Sequence, residues 1–239
     1  MKARWFALLR ETGNDMVYDS ICTCFAVLAF LLAGCSTPKE GKELEELTMI
    51  VTEQHERPSD EVLRRQLLHP TKDIYLAGGS FWGTEHYFKQ IEGVVTTEVG
   101  YANGITENPT YGEVCTDQTR FAETVHVVYD PEKVGLRFLL QMYFKAIDPL
   151  SVNQQGHDKG SQYRTGIYYT DEGDLPVIEE VYQNEQAQYG RPLSVEKLPL
   201  VNFYYAEEYH QDYLDKNPDG YCHLPLSLFR FAKEAKPQK

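Results

Sequence analysis

A two-layer α+β domain is the fold class this sequence predicts, on three observations. Strand-like and helix-like stretches alternate without an internal repeat through residues 71–225, and nothing requires every strand to be parallel. The segment Glu123-Thr124-Val125-His126-Val127-Val128-Tyr129 alternates cleanly, as a half-buried strand does. Residues 136–147, with Phe138-Leu139-Leu140-Gln141-Met142-Tyr143-Phe144 at their centre, read as a strongly apolar helix. With 239 residues, 42% of them hydrophobic, the chain suits one globular domain plus extensions, and a core of that size needs no stapling.

The chain opens on an apolar run, residues 21–34, that is short for a bilayer span but suits the h-region of a secretory signal. It ends in Leu32-Ala33-Gly34-Cys35, which resembles the box of a bacterial lipoprotein signal, with Cys35 as the lipidated mature N-terminus. Residues 1–34 are therefore expected to be a signal peptide, and the protein an extracytoplasmic lipoprotein held to the membrane. Residues 35–70 are polar and charge-rich and read as a tether with some helix, including a short helix over 60–67 capped by Ser59. Residues 226–239 read as a C-terminal tail.

Within the domain, Ile74-Tyr75-Leu76-Ala77 predicts a strand and Thr84 onward a helix, with Gly78-Gly79-Ser80-Phe81-Trp82-Gly83 as the turn between them. Such a turn displays a small side chain where helix N–H groups favour a developing anion. A β-branched strand follows over 93–101, ended by Asn103-Gly104, and residues 108–115 read as a loop. The polar, glycine-punctuated stretch 153–164 between the apolar helix and a strand at 165–170 is a good place for a site. A helix over 176–188, a strand over 194–200, an aromatic-acidic helix over 204–214 and the turn Asn217-Pro218-Asp219-Gly220 complete the domain.

The net charge of −13 argues against nucleic acid, which demands a basic footprint. Of five cysteines, Cys22, Cys24 and Cys35 lie in the N-terminal segment, so Cys115 and Cys222 alone fall in the domain. That is neither a disulfide framework nor a zinc-ligand spacing.

The ordered set Gly79-Ser80-Phe81-Trp82-Gly83, Gly100-Tyr101, Asn108-Pro109-Thr110-Tyr111, Glu113-Val114-Cys115, Ala122-Glu123, Tyr129-Asp130-Pro131, Asp148-Pro149, Gln155-Gly156, Asp158, Gln162-Tyr163-Arg164 and Gly220-Tyr221-Cys222 resembles the peptide methionine sulfoxide reductase A family. The resemblance implies a ferredoxin-like sandwich with a mixed sheet. It also implies reduction of methionine-S-sulfoxide, free or in proteins, with a thioredoxin-like external reductant and no metal or organic cofactor. By the same resemblance position 80 holds the nucleophile, normally a cysteine, and Cys222 is the resolving cysteine. Phe81 and Trp82 would cage the S-methyl group, Glu123 in protonated form would bond the sulfoxide oxygen, Tyr111 and Tyr163 would add hydroxyl donors, and Asp158 would orient the site.

Without the resemblance, Glu123 reads as an exposed strand-end carboxylate, Tyr111 and Tyr163 as packing rings and Asp158 as a turn former. Cys115 reads as a buried small hydrophobe and His210 as a helix-surface residue. Phe121 and Ile147 stand where the family usually has histidines, and His157 where it has asparagine. Serine cannot form a sulfenic acid or a disulfide, so the chain is expected to bind but not turn over. The alternatives are a lipoprotein that binds oxidised methionine without chemistry, and a serine hydrolase. The hydrolase elbow needs G-x-S-x-G, whereas Gly83 falls three residues after Ser80.

Overall fold

The computed structural model describes residues 70–237. The expected signal peptide, Cys35 and most of the tether lie outside the described residues. In chain order the elements are β1 (Lys72–Gly78), α1 (Phe81–Lys89), β2 (Val94–Ala102), α2 (Tyr111–Val114), β3 (Ala122–Tyr129), α3 (Leu136–Ala146), β4 (Gln154–Gln155) and β5 (Asp158–Lys159). Then follow β6 (Thr165–Tyr169), α4 (Leu175–Gln186), β7 (Glu196–Pro199), β8 (Phe203–Tyr205), α5 (Tyr213–Lys216) and α6 (Leu226–Glu234). This is an α+β fold on a mixed six-stranded sheet, ordered β7-β6-β1-β3-β2-β8, whose one parallel pair is β6 with β7.

Side-chain alternation gives the sheet two unlike faces. Ile74, Leu76, Val99, Tyr101, Val125, Val127 and Tyr129 share one core with Phe88 of α1, Leu139 and Leu140 of α3, Ile178 of α4 and Phe229 of α6. The opposite face has a smaller cluster of Ala77, Ala102, Ala122 and Tyr168, edged by Tyr75, Leu200 and Phe203. There His126 stacks on Tyr75, with ring centroids 4.3 Å apart, and its two ring nitrogens each lie 3.1 Å from a carboxylate, Glu98 and Asp73. Glu123 has the parity of Val125 and Val127, so it opens β3 on the helix-covered face, opposite Tyr101 of β2.

Two loops hold more structure than their composition suggests. Residues 108–115, expected as a loop, contain α2, nucleated by a reciprocal capping box between Thr110 and Glu113. The stretch 153–164 folds back as the small β4-β5 hairpin followed by a 3-10 turn at Ser161–Tyr163.

The helix expected over 204–214 does not form. Phe203–Tyr205 pairs with the edge of β2 instead, Tyr205 opposite Gly100. The ring of Phe203 fills the space a side chain on Gly100 would need. Gln211 then completes that edge, accepting the Val99 N–H at 2.9 Å and donating to the Val99 and Ala206 carbonyls. Asp212 takes a left-handed φ of 54°, which ends any helical run before α5. Tertiary pairing of an unfilled sheet edge outweighs local helical propensity here. The 226–239 stretch opens with α6, whose Phe229 and Ala232 are buried.

Candidate active site

The turn from β1 to α1 is possible because Gly79 has a φ of 87°, and a Cβ there would lie 2.6 Å from the Gln155 side chain. Ser80 follows as the N-cap residue, 7% exposed, but its hydroxyl makes no capping bond. The first helical N–H, that of Phe81, is given to Glu123 Oε2 at 3.1 Å. A carboxyl group thus sits against the α1 N-terminus beside residue 80.

Glu123 is 1% exposed, and its Oε1 has no partner. Burial pushes its pKa up to about 8, against the lowering effect of the Phe81 N–H, and the charge of Asp158 adds to the rise. At neutral pH the group carries a proton and presents a buried, unused O–H donor. The exposed strand-end carboxylate that Glu123 suggests in isolation is therefore not what the fold makes of it.

Around this carboxyl stand two tyrosines, from α2 and from the 3-10 turn. The Tyr111 and Tyr163 side chains are neighbours, each acting on the other's hydroxyl. Burial, followed by the Glu123 charge, raises both, Tyr163 to about 12, so both stay protonated. Asp158 of β5 accepts the Tyr221 hydroxyl at 2.8 Å through Oδ1, while its Oδ2 is buried without a partner.

The aromatic wall is built by Phe81, fully buried, and Trp82, half-buried. Trp82 stacks on Tyr213 at 3.7 Å and donates its Nε1–H to His210 Nδ1 at 3.0 Å. His210, expected on a helix surface, is 1% exposed and packs against Phe81, Trp82 and Tyr111. Burial lowers its pKa, so the ring is neutral; Nδ1 accepts from Trp82, which leaves the proton on Nε2, itself buried without a partner. Glu207 locks the same loop, accepting the Tyr101 hydroxyl at 2.7 Å and the Tyr111 N–H at 2.9 Å.

Cys222 is a free, half-buried thiol beside α1, 3.0 Å from where a Cβ on Gly83 would lie. Cys115 is exposed rather than buried: as the C-cap of α2 it faces out, with Tyr111 as a neighbour. Phe121 is fully buried against Tyr204, Ile147 packs near Gly78, and His157 is exposed.

The fold therefore gathers Ser80, Phe81, Trp82, Tyr111, Glu123, Asp158, Tyr163 and Cys222 around one helix start. It adds His210, expected on a helix surface, Tyr221, noted only within Gly220-Tyr221-Cys222, and Glu207, Tyr213 and His223, to which the sequence assigned no role. For Glu207, His210 and Tyr213 the available signal was the density of aromatic and acidic residues in 204–213.

Four buried polar atoms at this place, on Glu123, Asp158, His210 and His223, lack hydrogen-bond partners among the described residues. Buried polar groups are otherwise nearly always paired, so the cluster, with donors on Glu123 and His210 and acceptors on Asp158 and His223, is suited to a small polar ligand. Comparison with known proteins agrees. The chain is 57% identical over 159 residues to the peptide methionine sulfoxide reductase MsrA of Clostridium acetobutylicum, covering 66% of this chain and 98% of that one. A Lachnoclostridium phytofermentans relative of the same name is 54% identical, over 69% of this chain and 99% of its own length. Among solved structures, reduced Mxr1 from Saccharomyces cerevisiae superposes with a TM-score of 0.61 at 42% identity, over 64% of this chain and 88% of that one. Methionine sulfoxide reductase A of Corynebacterium diphtheriae does so with a TM-score of 0.58 at 40% identity, over 64% and 77%. The family model described as peptide methionine sulfoxide reductase matches residues 72–239, and on that match this chain belongs to the peptide methionine sulfoxide reductase family of enzymes.

Proposed function

We propose that the pocket takes the S-epimer of methionine sulfoxide, free or in a protein, and that with serine at position 80 the chain binds it without turning it over. The observation that carries this reading is the buried Glu123 carboxyl, held protonated beside residue 80 with one oxygen unused. A sulfoxide oxygen placed there accepts the Glu123 proton, with the Tyr111 and Tyr163 hydroxyls as further donors. Phe81 and Trp82 hold the S-methyl group, and Asp158 orients the site through Tyr221.

With a thiol at position 80 the chemistry balances without a metal or organic cofactor. The sulfur attacks the sulfoxide sulfur, oxygen leaves it, methionine is released and the thiol becomes a sulfenic acid. Cys222 then displaces the hydroxyl as water and forms a disulfide, which a thioredoxin-like dithiol opens. The Ser80 hydroxyl is a hard, weakly acidic nucleophile and supports neither step.

Assay of a peptide bearing methionine-S-sulfoxide with dithiothreitol tests the reading. The Ser80 chain is expected to bind the peptide and release no methionine, and Ser80→Cys to restore turnover. A folded Ser80→Cys protein that stays inactive overturns the reductase reading. A binding protein with no catalytic counterpart is the second reading, favoured by Ser80 itself. It would be upheld by tight binding in both forms and turnover in neither. Neither reading needs a serine hydrolase, and no histidine among the described residues bonds the Ser80 hydroxyl: His210 is tied to Trp82 and His223 to the Gly78 carbonyl.

We further read the inner strand order β6-β1-β3-β2, antiparallel throughout, as the ferredoxin-like arrangement. Lipidation at Cys35 would hold this domain at an extracytoplasmic membrane surface. Mass spectrometry of the mature N-terminus tests it, and an unmodified Cys35 counts against it.

A further inference from the structure

His223 follows Cys222 directly and occupies a cradle of glycines. Its ring is 3.2 Å from a Cβ position on Gly79, 2.9 Å from one on Gly83, and its own Cβ is 3.7 Å from one on Gly156. Its Nε2 lies 3.2 Å from the Gly78 carbonyl oxygen. A carbonyl only accepts, so the proton of the neutral ring is on Nε2, and Nδ1 carries a lone pair. That Nδ1 is buried and has no partner. The Cys222 sulfur and the His223 Nδ1 meet the same point over Gly83, at 3.0 and 2.9 Å.

Resting on the reductase reading above, we propose that His223 is the base that accepts the Cys222 proton as this sulfur attacks a sulfenic acid at position 80. The Cys222 S–H bond breaks as the S–S bond forms, and the S–OH bond at residue 80 breaks. The hydroxyl leaves as water, so the proton taken by Nδ1 equals the one the leaving group gains, and no further oxidant or reductant is needed.

The resting charge state fits a base rather than a preformed ion pair. Burial raises the Cys222 thiol, with the Leu224 N–H opposing and Asp158 adding to the rise. Burial lowers His223, with Asp158 opposing. A neutral thiol and a neutral imidazole over the same glycine, not hydrogen-bonded to each other at rest, leave proton removal to the moment of attack. The groups facing His223 are Cys222 itself, the Asp158 carboxylate of β5, the neutral Gln155 of β4 near Gly79, and the glycines of the β1-α1 turn.

The test uses the full chain carrying Ser80→Cys, with and without His223→Gln. The glutamine amide can still donate to the Gly78 carbonyl but offers no imidazole lone pair. One equivalent of methionine-S-sulfoxide peptide is added to the reduced protein. Methionine release and disulfide closure, by sulfenic-acid trapping and intact mass, are followed in the same sample across pH. His223→Gln is expected to slow closure relative to methionine release by about tenfold at neutral pH, the deficit shrinking as the solution becomes alkaline. Equal relative rates with the same pH profile overturn the proposal. If no methionine appears, the reductase reading has failed, and hydrogen peroxide is used to make the sulfenic acid at the introduced thiol, so closure is still measured. If His223→Gln does not fold, the parent profile decides. Closure must then show an inflection in the imidazole range, and a rate climbing without one until the thiol ionises overturns the assignment.

Discussion

At Glu123 a single oxygen atom concentrates the chemistry. Its partner oxygen is fixed by the Phe81 N–H, so the proton is directed to the oxygen without a bond. In the Ser80→Cys form, turnover is expected to fall as pH rises through about 8, where Glu123 loses that proton. Glu123→Gln keeps a donor but not an acid, and is expected to lower kcat by roughly 10- to 100-fold and to abolish this alkaline limb. A pH-rate profile of the two forms checks both. His210 contrasts with Glu123 in how it could be seen. Glu123 stands in a short motif, whereas His210 owes its burial to Trp82, Phe81 and Tyr111, more than ninety residues away. A sequence window cannot display such a neighbourhood.

The element that organises the site is α1, and its third residue sets a tight clearance. Gly83→Ala would press a methyl group against the Cys222 sulfur and the His223 ring. Alanine gains about 1 kcal/mol of helix propensity, while overpacking costs about 1–3 kcal/mol, so a small net loss of stability is expected. Displacement of Cys222 should show more clearly. In the Ser80→Cys form, Gly83→Ala should impair thioredoxin-supported turnover more than dithiothreitol-supported turnover, and equal effects would mean the methyl group is accommodated. β1, α1, β3 and α3 were legible because their periodicity is local and their ends are marked by Gly79, Asp130 and Gly135. The 203–216 stretch was not. Its conformation answers to the β2 edge, through Gln211, and to α1, where buried Glu85 accepts the Asp212 N–H at 3.0 Å and Lys89 pairs with Asp212 and Asp215. Those partners come from other elements, so helical composition alone misled.

For the whole molecule, two buried carboxyls set the pH response of stability on the alkaline side, while the lowered pKa of buried His210 and His223 weakens the fold at acid pH. Burial raises Glu85 to about 7 and Glu123 to about 8. Both values exceed those of the unfolded chain, so the folded state holds protons the unfolded state releases. The associated stability is complete below the ordinary carboxylate value and is lost as pH rises through 7 and 8. The unfolding free energy, from denaturant curves, is expected to be higher near neutral than at alkaline pH, by on the order of a few kcal/mol. Glu85→Gln with Glu123→Gln should flatten that slope, and an unchanged slope would place its origin elsewhere. The stacking of Trp82 on Tyr213 has an optical consequence. The chain has two tryptophans, Trp5 and Trp82, so Trp5→Phe leaves one emitter, and that emitter is a wall of the pocket. Its quantum yield depends on the Tyr213 ring and on the His210 hydrogen bond. Adding the sulfoxide peptide to this Ser80 protein should change the emission saturably, and a flat titration would mean that the ligand seats away from the indole. Position 82 thus gives the pocket its own fluorescent gauge of occupancy, readable without turnover.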